Sequence, residues 1–169
     1  MVWTNGPIEL YHGTTDAVTA SIRTAINPSK GAIFADFGRG FYCTSNLQQA
    51  KDWANTRVRP GQRAEVIAFE CDLDTIAGLE VLSFVIDSQA SGFRDFVTYC
   101  RNALHTATWQ HPDHMRSNRK TYYDVVFGPV VLWPQHGLLS GYDQISFHGS
   151  QSIAALKPLP QTIIGNPVF

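Results

Sequence analysis

Two glycine-marked segments constrain this 169-residue chain more than any other part of it. The first, Leu10-Tyr11-His12-Gly13-Thr14-Thr15, closes a short apolar stretch; the second, Asp36-Phe37-Gly38-Arg39-Gly40-Phe41-Tyr42, opens one. Glycine adopts backbone conformations that other residues resist, so residues 32–39 read as an ordered loop that delivers a strand at Gly40–Thr44. Ile8–His12 reads as a short strand; Thr14 and Thr15 turn the chain, and Asp16 caps a helix through Ala25. Asn27 to Gly31 break the pattern.

Periodicity orders the remaining elements. Ser45 or Asn46 caps a helix from Leu47 to about Val58, with Leu47, Ala50, Trp53, Ala54 and Arg57 on one face, and Pro60 with Gly61 ends it. Ala64–Cys71 is a strand in which Val66, Ala68 and Glu70 alternate against Ile67, Phe69 and Cys71. Leu79–Ile86 is strand-like or mixed, and Gly92–Ala103 reads as a helix with Phe93, Phe96, Val97 and Cys100 inward. Residues 102–120 are polar, holding His105, His111, His114, Arg116, Arg119 and Lys120, and read as a long loop. Tyr122–Leu132 is a β-branched and aromatic run, Gln144–His148 alternates as a final core strand, and the three prolines from Pro158 onward predict an extended arm. The expected architecture is α+β, with two small, mostly antiparallel sheets face to face and helices at their margins.

Length and composition predict one domain: 169 residues, 44 % hydrophobic and 16 % charged, suffice for a single core. A formal net charge of −1 argues against a surface built mainly to hold nucleic acid. With no basic segment and apolar run at the start, and no apolar stretch near bilayer length, a soluble, cytoplasmic protein with no membrane partner is expected. Cys43, Cys71 and Cys100 are odd in number and widely spaced, so they predict neither a disulfide framework nor a metal site.

Both glycine-marked segments resemble the ADP-ribosyltransferase superfamily, in which a strand carrying Tyr-His-Gly and a later Gly-x-Tyr strand line one cleft around nicotinamide. More narrowly, the chain looks like a family of small bacterial domains of that superfamily, marked by Asp-Phe-Gly-x-Gly-Phe-Tyr and by a later Tyr-Asp-x-Val-x-Gly-Pro strand, here Tyr123–Pro129. The resemblance covers roughly residues 8–157, leaving 158–169 as the arm of a single 1–169 domain. It implies a split sandwich of two sheets and NAD as cosubstrate. His12 would hydrogen-bond NAD at the adenosine ribose, and the backbone at Gly13 would pair with the nicotinamide amide. The residue types suit those tasks: a neutral imidazole donates or accepts without adding charge, and glycine admits close approach. A buried structural histidine is the plain alternative for His12.

Tyr42 supplies a flat face on which nicotinamide could stack. Thr14 and the loop Asp36, Phe37, Gly38, Arg39 and Gly40 complete the expected NAD contacts, with Arg39 as a pyrophosphate partner. The third element departs from the superfamily pattern. A late-strand Glu commonly bonds the nicotinamide ribose, and here Gln144 takes that place, so His12, Tyr42 and Gln144 form the expected catalytic set. A neutral amide supplies no full charge to an oxocarbenium-like transition state. Asp124 could support it or merely satisfy backbone donors; Asp143 should face the opposite side of the strand; Glu70 is either partnered or at a sheet edge.

The implied reaction transfers ADP-ribose from NAD to a macromolecular acceptor and releases nicotinamide. The segment before Gln144, with Trp133 and Tyr142, would meet a protein or nucleic-acid target. Bacterial transferases of this type look like toxins of toxin–antitoxin or phage-defence systems, which implies a separate antitoxin or immunity protein. NAD hydrolysis, or a noncatalytic NAD-binding or interaction module, are the alternatives.

Overall fold

Strand alternation sorts the apolar side chains of this chain into three layers. The computed structural model describes residues 6–84, 90–102, 123–132 and 137–169. β1 (Ile8–Thr15), β2 (Phe41–Cys43), β3 (Ala64–Cys71), β4 (Val81–Ser83), β5 (Val125–Leu132), β6 (Gly137–Phe147) and β7 (Leu156–Ile164) make two small open sheets, ordered β1-β3-β7 and β2-β6-β5-β4. Every pairing is antiparallel except that of β4 with β5. Helices α1 (Asp16–Thr24), α2 (Leu47–Arg57), α3 (Leu73–Ala77), α4 (Ala90–Asn102) and α5 (Ser150–Ile153) complete a mixed α+β fold. None among the described residues is long and apolar enough to cross a membrane.

The sheets are joined edge to edge at a single bridge. Tyr11 and Thr44 exchange both main-chain hydrogen bonds, at 2.8 and 2.9 Å. Beyond it β1 runs on to Thr15 along the flank of β2, antiparallel to it, but among the described residues no further bridge joins them, so a gap opens between the two strands.

Leu10 of β1, Phe41 and Cys43 of β2, Ile67, Phe69 and Cys71 of β3, and Ile145 and Phe147 of β6 form the core between the sheets. The other face of the first sheet presents Ala64 and Val66 to Ala50 and Ala54 of α2. The other face of the second sheet is covered by α4, through Phe93, Phe96, Val97 and Cys100, with Phe37 fully buried among them. Phe37 lies 6.1 to 6.4 Å, ring centre to ring centre, from Phe84, Phe93 and Phe96. Gly38 follows at φ 78°, a conformation that side chains resist, and lets the loop leave that core toward β2.

Five sequence expectations change. Thr14 and Thr15 do not turn the chain: they pair with Glu65 and Ala64, and Thr15, not Asp16, is the cap of α1. Helix α3 was not foreseen; the Asp72 carboxylate starts it by accepting from the amides of Asp74 and Thr75. Strand β6 begins at Gly137, well before Gln144. Residues 156–164 are a third strand of the first sheet, not a free arm. Prolines deplete interior strands, but β7 is an edge, where they are tolerated. Its carbonyls at Leu159 and Gln161 each accept from the Arg23 guanidinium of α1, at 2.8 Å. Finally, α2 buries only Ala50 and Ala54 inward and leaves Trp53 exposed. The polar 102–120 loop lies outside the described residues, except Asn102 at the end of α4.

Helix α2 lies so close to β1 that a Cβ added at Gly13 would stand 2.1 Å from the Ala50 carbonyl oxygen, an impossible contact. Gly13→Ala should therefore push helix from sheet and cost about 1–3 kcal/mol. A urea melt should show the midpoint falling with the slope unchanged.

Candidate functional site

The gap between β1 and β2 collects the polar groups of the fold. Tyr11 turns its N–H and C=O toward β2. Hydrogen-bonding directions alternate along a strand, so Gly13, two residues on, points its own N–H and C=O the same way, into the gap. Among the described residues nothing pairs with them there. Gly13 therefore presents an open donor and acceptor side by side.

His12 stands next to that edge. Its ring stacks on Phe41 at 4.4 Å and 25°, and its Nδ1 lies 2.6 Å from the Tyr42 carbonyl oxygen. A carbonyl only accepts, so Nδ1 carries the proton and Nε2 holds a lone pair. Among the described residues Nε2 has no hydrogen-bond partner. Burial pushes the His12 pKa below its ordinary value; the Tyr42 carbonyl opposes this, and the nearby Arg57 charge adds to it. The group offered to the gap is thus a neutral, oriented acceptor.

One stripe of α2 borders the gap. Gln49, Trp53 and Arg57 follow each other at i, i+4 and i+8, on one side of the helix. At one end Gln49 Nε2 donates to the Asp143 carbonyl at 2.6 Å; at the other, Arg57 is close enough for its charge to act on His12. Trp53, between them, is 53 % exposed, and the Arg57 guanidinium lies 4.4 Å from its ring centre. Sequence reasoning grouped Trp53 on one helix face with Leu47, Ala50, Ala54 and Arg57. The signal that could have found it is that Ala50 and Ala54 already fill the narrow face against Gly13.

The expected tyrosine and glutamine sit differently from His12. Phe41 and Cys43 face the inter-sheet core, so Tyr42 faces the opposite side, half-buried. Its hydroxyl donates to the Gly38 carbonyl at 2.6 Å and accepts from the Phe37 amide at 3.0 Å, tying down the loop. Tyr42 reaches His12 through its carbonyl, not its ring. Gln144 shares the Tyr42 side of the sheet. Its Nε2 donates to Asp36 Oδ2 at 2.6 Å and to the Pro129 carbonyl at 2.9 Å. Asp36, 5 % exposed, is also held by Arg101 of α4, whose Nε donates at 2.6 Å. Asp36, Phe37 and Gly38 are therefore buried loop anchors, against the expectation that they contact NAD.

This network explains why residue 144 is an amide. Both groups it faces are acceptors, so a Glu carboxylate there would confront another carboxylate and a carbonyl oxygen. Of the β6 side chains, the carboxylate on the His12 side is Asp143. Alternation along β6 groups it with Ile145 and Phe147, whose partners on β2 are Cys43 and Phe41. Asp143 accepts from Thr44 Oγ1 at 2.6 Å, from the Ser45 amide at 2.9 Å and from the Ser45 hydroxyl, which leaves about one lone-pair site of four. Tyr142 beside it donates to Asp52 at 3.3 Å. Trp133 lies outside the described residues.

The remaining candidates sort plainly. Arg39 is exposed, and among the described residues its carbonyl alone is engaged, accepting from His148 Nδ1 at 2.9 Å. That bond leaves His148 Nε2 to accept from the Ser146 hydroxyl at 2.7 Å. Ser146 is completely buried, so this serine–histidine pair latches the Arg39–Gly40 loop and offers no nucleophile. Asp124 accepts from the Glu80 amide at 3.1 Å, the backbone-satisfying alternative. Glu70 is exposed near a strand end, opposite Lys157. Cys43, Cys71 and Cys100 are buried thiols, and burial pushes Cys71 up to about 11.

Residues 8–132 match the family described as Protein of unknown function (DUF3990). No curated protein and no solved structure matches the chain.

The two latching histidines make stability depend on acid. His12 is lowered, and burial lowers His148 from 6.5 to about 4, against the opposing Arg39 bond and Asp124 charge. The unfolded chain binds these protons first, so the stabilisation is full above pH 6.5 and is lost as pH falls toward 4. Urea melts across this range should lose up to about 3 kcal/mol from His148, and His148→Gln should flatten the slope.

Proposed function

We propose that this chain, which belongs to the DUF3990 family, is an NAD-dependent ADP-ribosyltransferase working in the gap between β1 and β2. The observation that carries the reading is His12: held by the Tyr42 carbonyl and stacked on Phe41, it aims an unpaired Nε2 beside the open Gly13 edge. An open N–H and C=O in line are complementary to a carboxamide, the group that marks nicotinamide. A neutral acceptor beside them suits a ribose hydroxyl.

The nicotinamide amide pairs with Gly13, and its ring stacks on exposed Trp53, worth about 0.5–1.5 kcal/mol beyond area burial. Trp53 fits this task better than Tyr42, whose hydroxyl and ring are committed to the loop. His12 Nε2 accepts from the adenosine ribose, and Arg39, whose guanidinium has no partner among the described residues, answers the pyrophosphate. As the glycosidic bond breaks, positive charge grows on the nicotinamide ribose; the Asp143 carboxylate, rather than the Gln144 amide, meets it. Nicotinamide leaves with the bonding electrons and a nucleophile of the acceptor takes its place at the anomeric carbon. Tyr142 would meet a protein or nucleic-acid acceptor. A neutralising antitoxin partner would accompany such an activity in a toxin.

Purified protein incubated with adenine-labelled NAD and a bacterial lysate should place label on a protein or nucleic-acid band. His12→Ala should abolish it without unfolding the chain. Asp143→Asn should slow transfer by about 10²–10³-fold. Gln144→Glu should bring no gain and should lower the melting temperature through repulsion from Asp36. Free ADP-ribose and nicotinamide without label would make water the acceptor, and NAD left intact would sink the transferase reading.

A further inference from the structure

The inner face of the first sheet holds two polar side chains that the site described so far does not use. Thr14 on β1 and Glu65 on β3 stand directly opposite one another in the register. They are 5 % and 6 % exposed. Alternation puts both on the face that carries His12 and Leu10 on β1 and Ile67 and Phe69 on β3. Among the described residues neither the Thr14 hydroxyl nor the Glu65 carboxylate makes a hydrogen bond or an ion pair.

Both oxygens of a carboxylate accept, so whatever meets Glu65 must donate to it. Glu65 is diagonal to His12, whose own partner is Ile67, so ordinary sheet geometry sets the two about 7–8 Å apart. His12 Nε2 and the Glu65 carboxylate only accept, and Thr14 both accepts and donates. The complementary ligand therefore brings adjacent donors. A vicinal diol does so: two neighbouring hydroxyls can donate to the two oxygens of one carboxylate, as acidic residues do to ribose in dinucleotide-binding sheets.

We propose that Glu65, seconded by Thr14, clamps the adenosine-ribose diol of NAD next to His12 and selects a 2′-hydroxyl over a 2′-phosphate. This rests on the NAD reading above. The selectivity follows from charge. A 2′-phosphate removes one donor and sets a second anion against a carboxylate that has no other partner among the described residues.

Calorimetric titration of the full-length chain with NAD and with NADP tests the clamp. The wild type should bind NAD at least about tenfold more tightly than NADP, the worth of one charge-assisted hydrogen bond. Glu65→Gln should weaken NAD and bring the two affinities to within about threefold, since an amide can donate to phosphate. The unliganded variant should melt at the same or a higher temperature, because an uncompensated charge is gone; a carboxylate with a structural role would do the reverse. Equal affinities in the wild type, or an unchanged ratio in Glu65→Gln, overturn the clamp. If NAD binding is then still lost in His12→Ala, the cleft reading survives without it. Wild type that binds neither dinucleotide sinks both.

Discussion

One pair of main-chain hydrogen bonds, between Tyr11 and Thr44, decides where this molecule is closed and where it is open. Without it the two sheets would be separate layers; with more of it they would merge into one continuous sheet with no break for a ligand. Because the pairing stops after a single bridge, the Gly13 edge has backbone groups and no strand to receive them. α2 sits across the same place because its two alanines can approach a residue without a side chain. The cleft is thus a by-product of sheet pairing, α2 packing and the missing Cβ of Gly13.

The loop before β2 is held by a different kind of force. Phe37 is an apolar plug, and Asp36 is a buried anion answered by Arg101, Gln144 and the Val131 amide. Breaking one partner of such an ion pair typically costs about 3–5 kcal/mol. The loop is therefore fixed on one side by aromatic packing and on the other by charge. Tyr42 completes it by bonding both Phe37 and Gly38. That rigidity reaches His12, since the carbonyl orienting the imidazole belongs to the same tyrosine.

Much of this was legible in the sequence. Val66, Ile67 and Phe69 announce β3 by alternation alone, and the α4 stripe of Phe93, Phe96, Val97 and Cys100 faces inward as periodicity predicts. What was not legible depends on which face of a strand meets which neighbour. Tyr42 and Gln144 were paired with His12 by order along the chain, but both point to the α4 side of their sheet. Glu65 went unnoticed beside the more conspicuous Glu70, because only the register with Thr14 shows which carboxylate is covered. Trp53 was misread because helical spacing groups residues by angle and is silent about how narrow a glycine makes the packed face. The β7 segment was misread because proline content argues against strands in general and carries no knowledge of edges.

That edge has a consequence for the molecule among its own copies. An unpaired strand border is ordinarily a template on which a second chain can extend the sheet. Along β7 Pro158 and Pro160 have no amide protons to offer, and Arg23 already occupies the intervening carbonyls of Leu159 and Gln161. The outer border thus offers an incoming strand fewer acceptors and fewer donors over this stretch than a plain edge would, while the inner border at Gly13 keeps its capacity for something small enough to enter between the sheets.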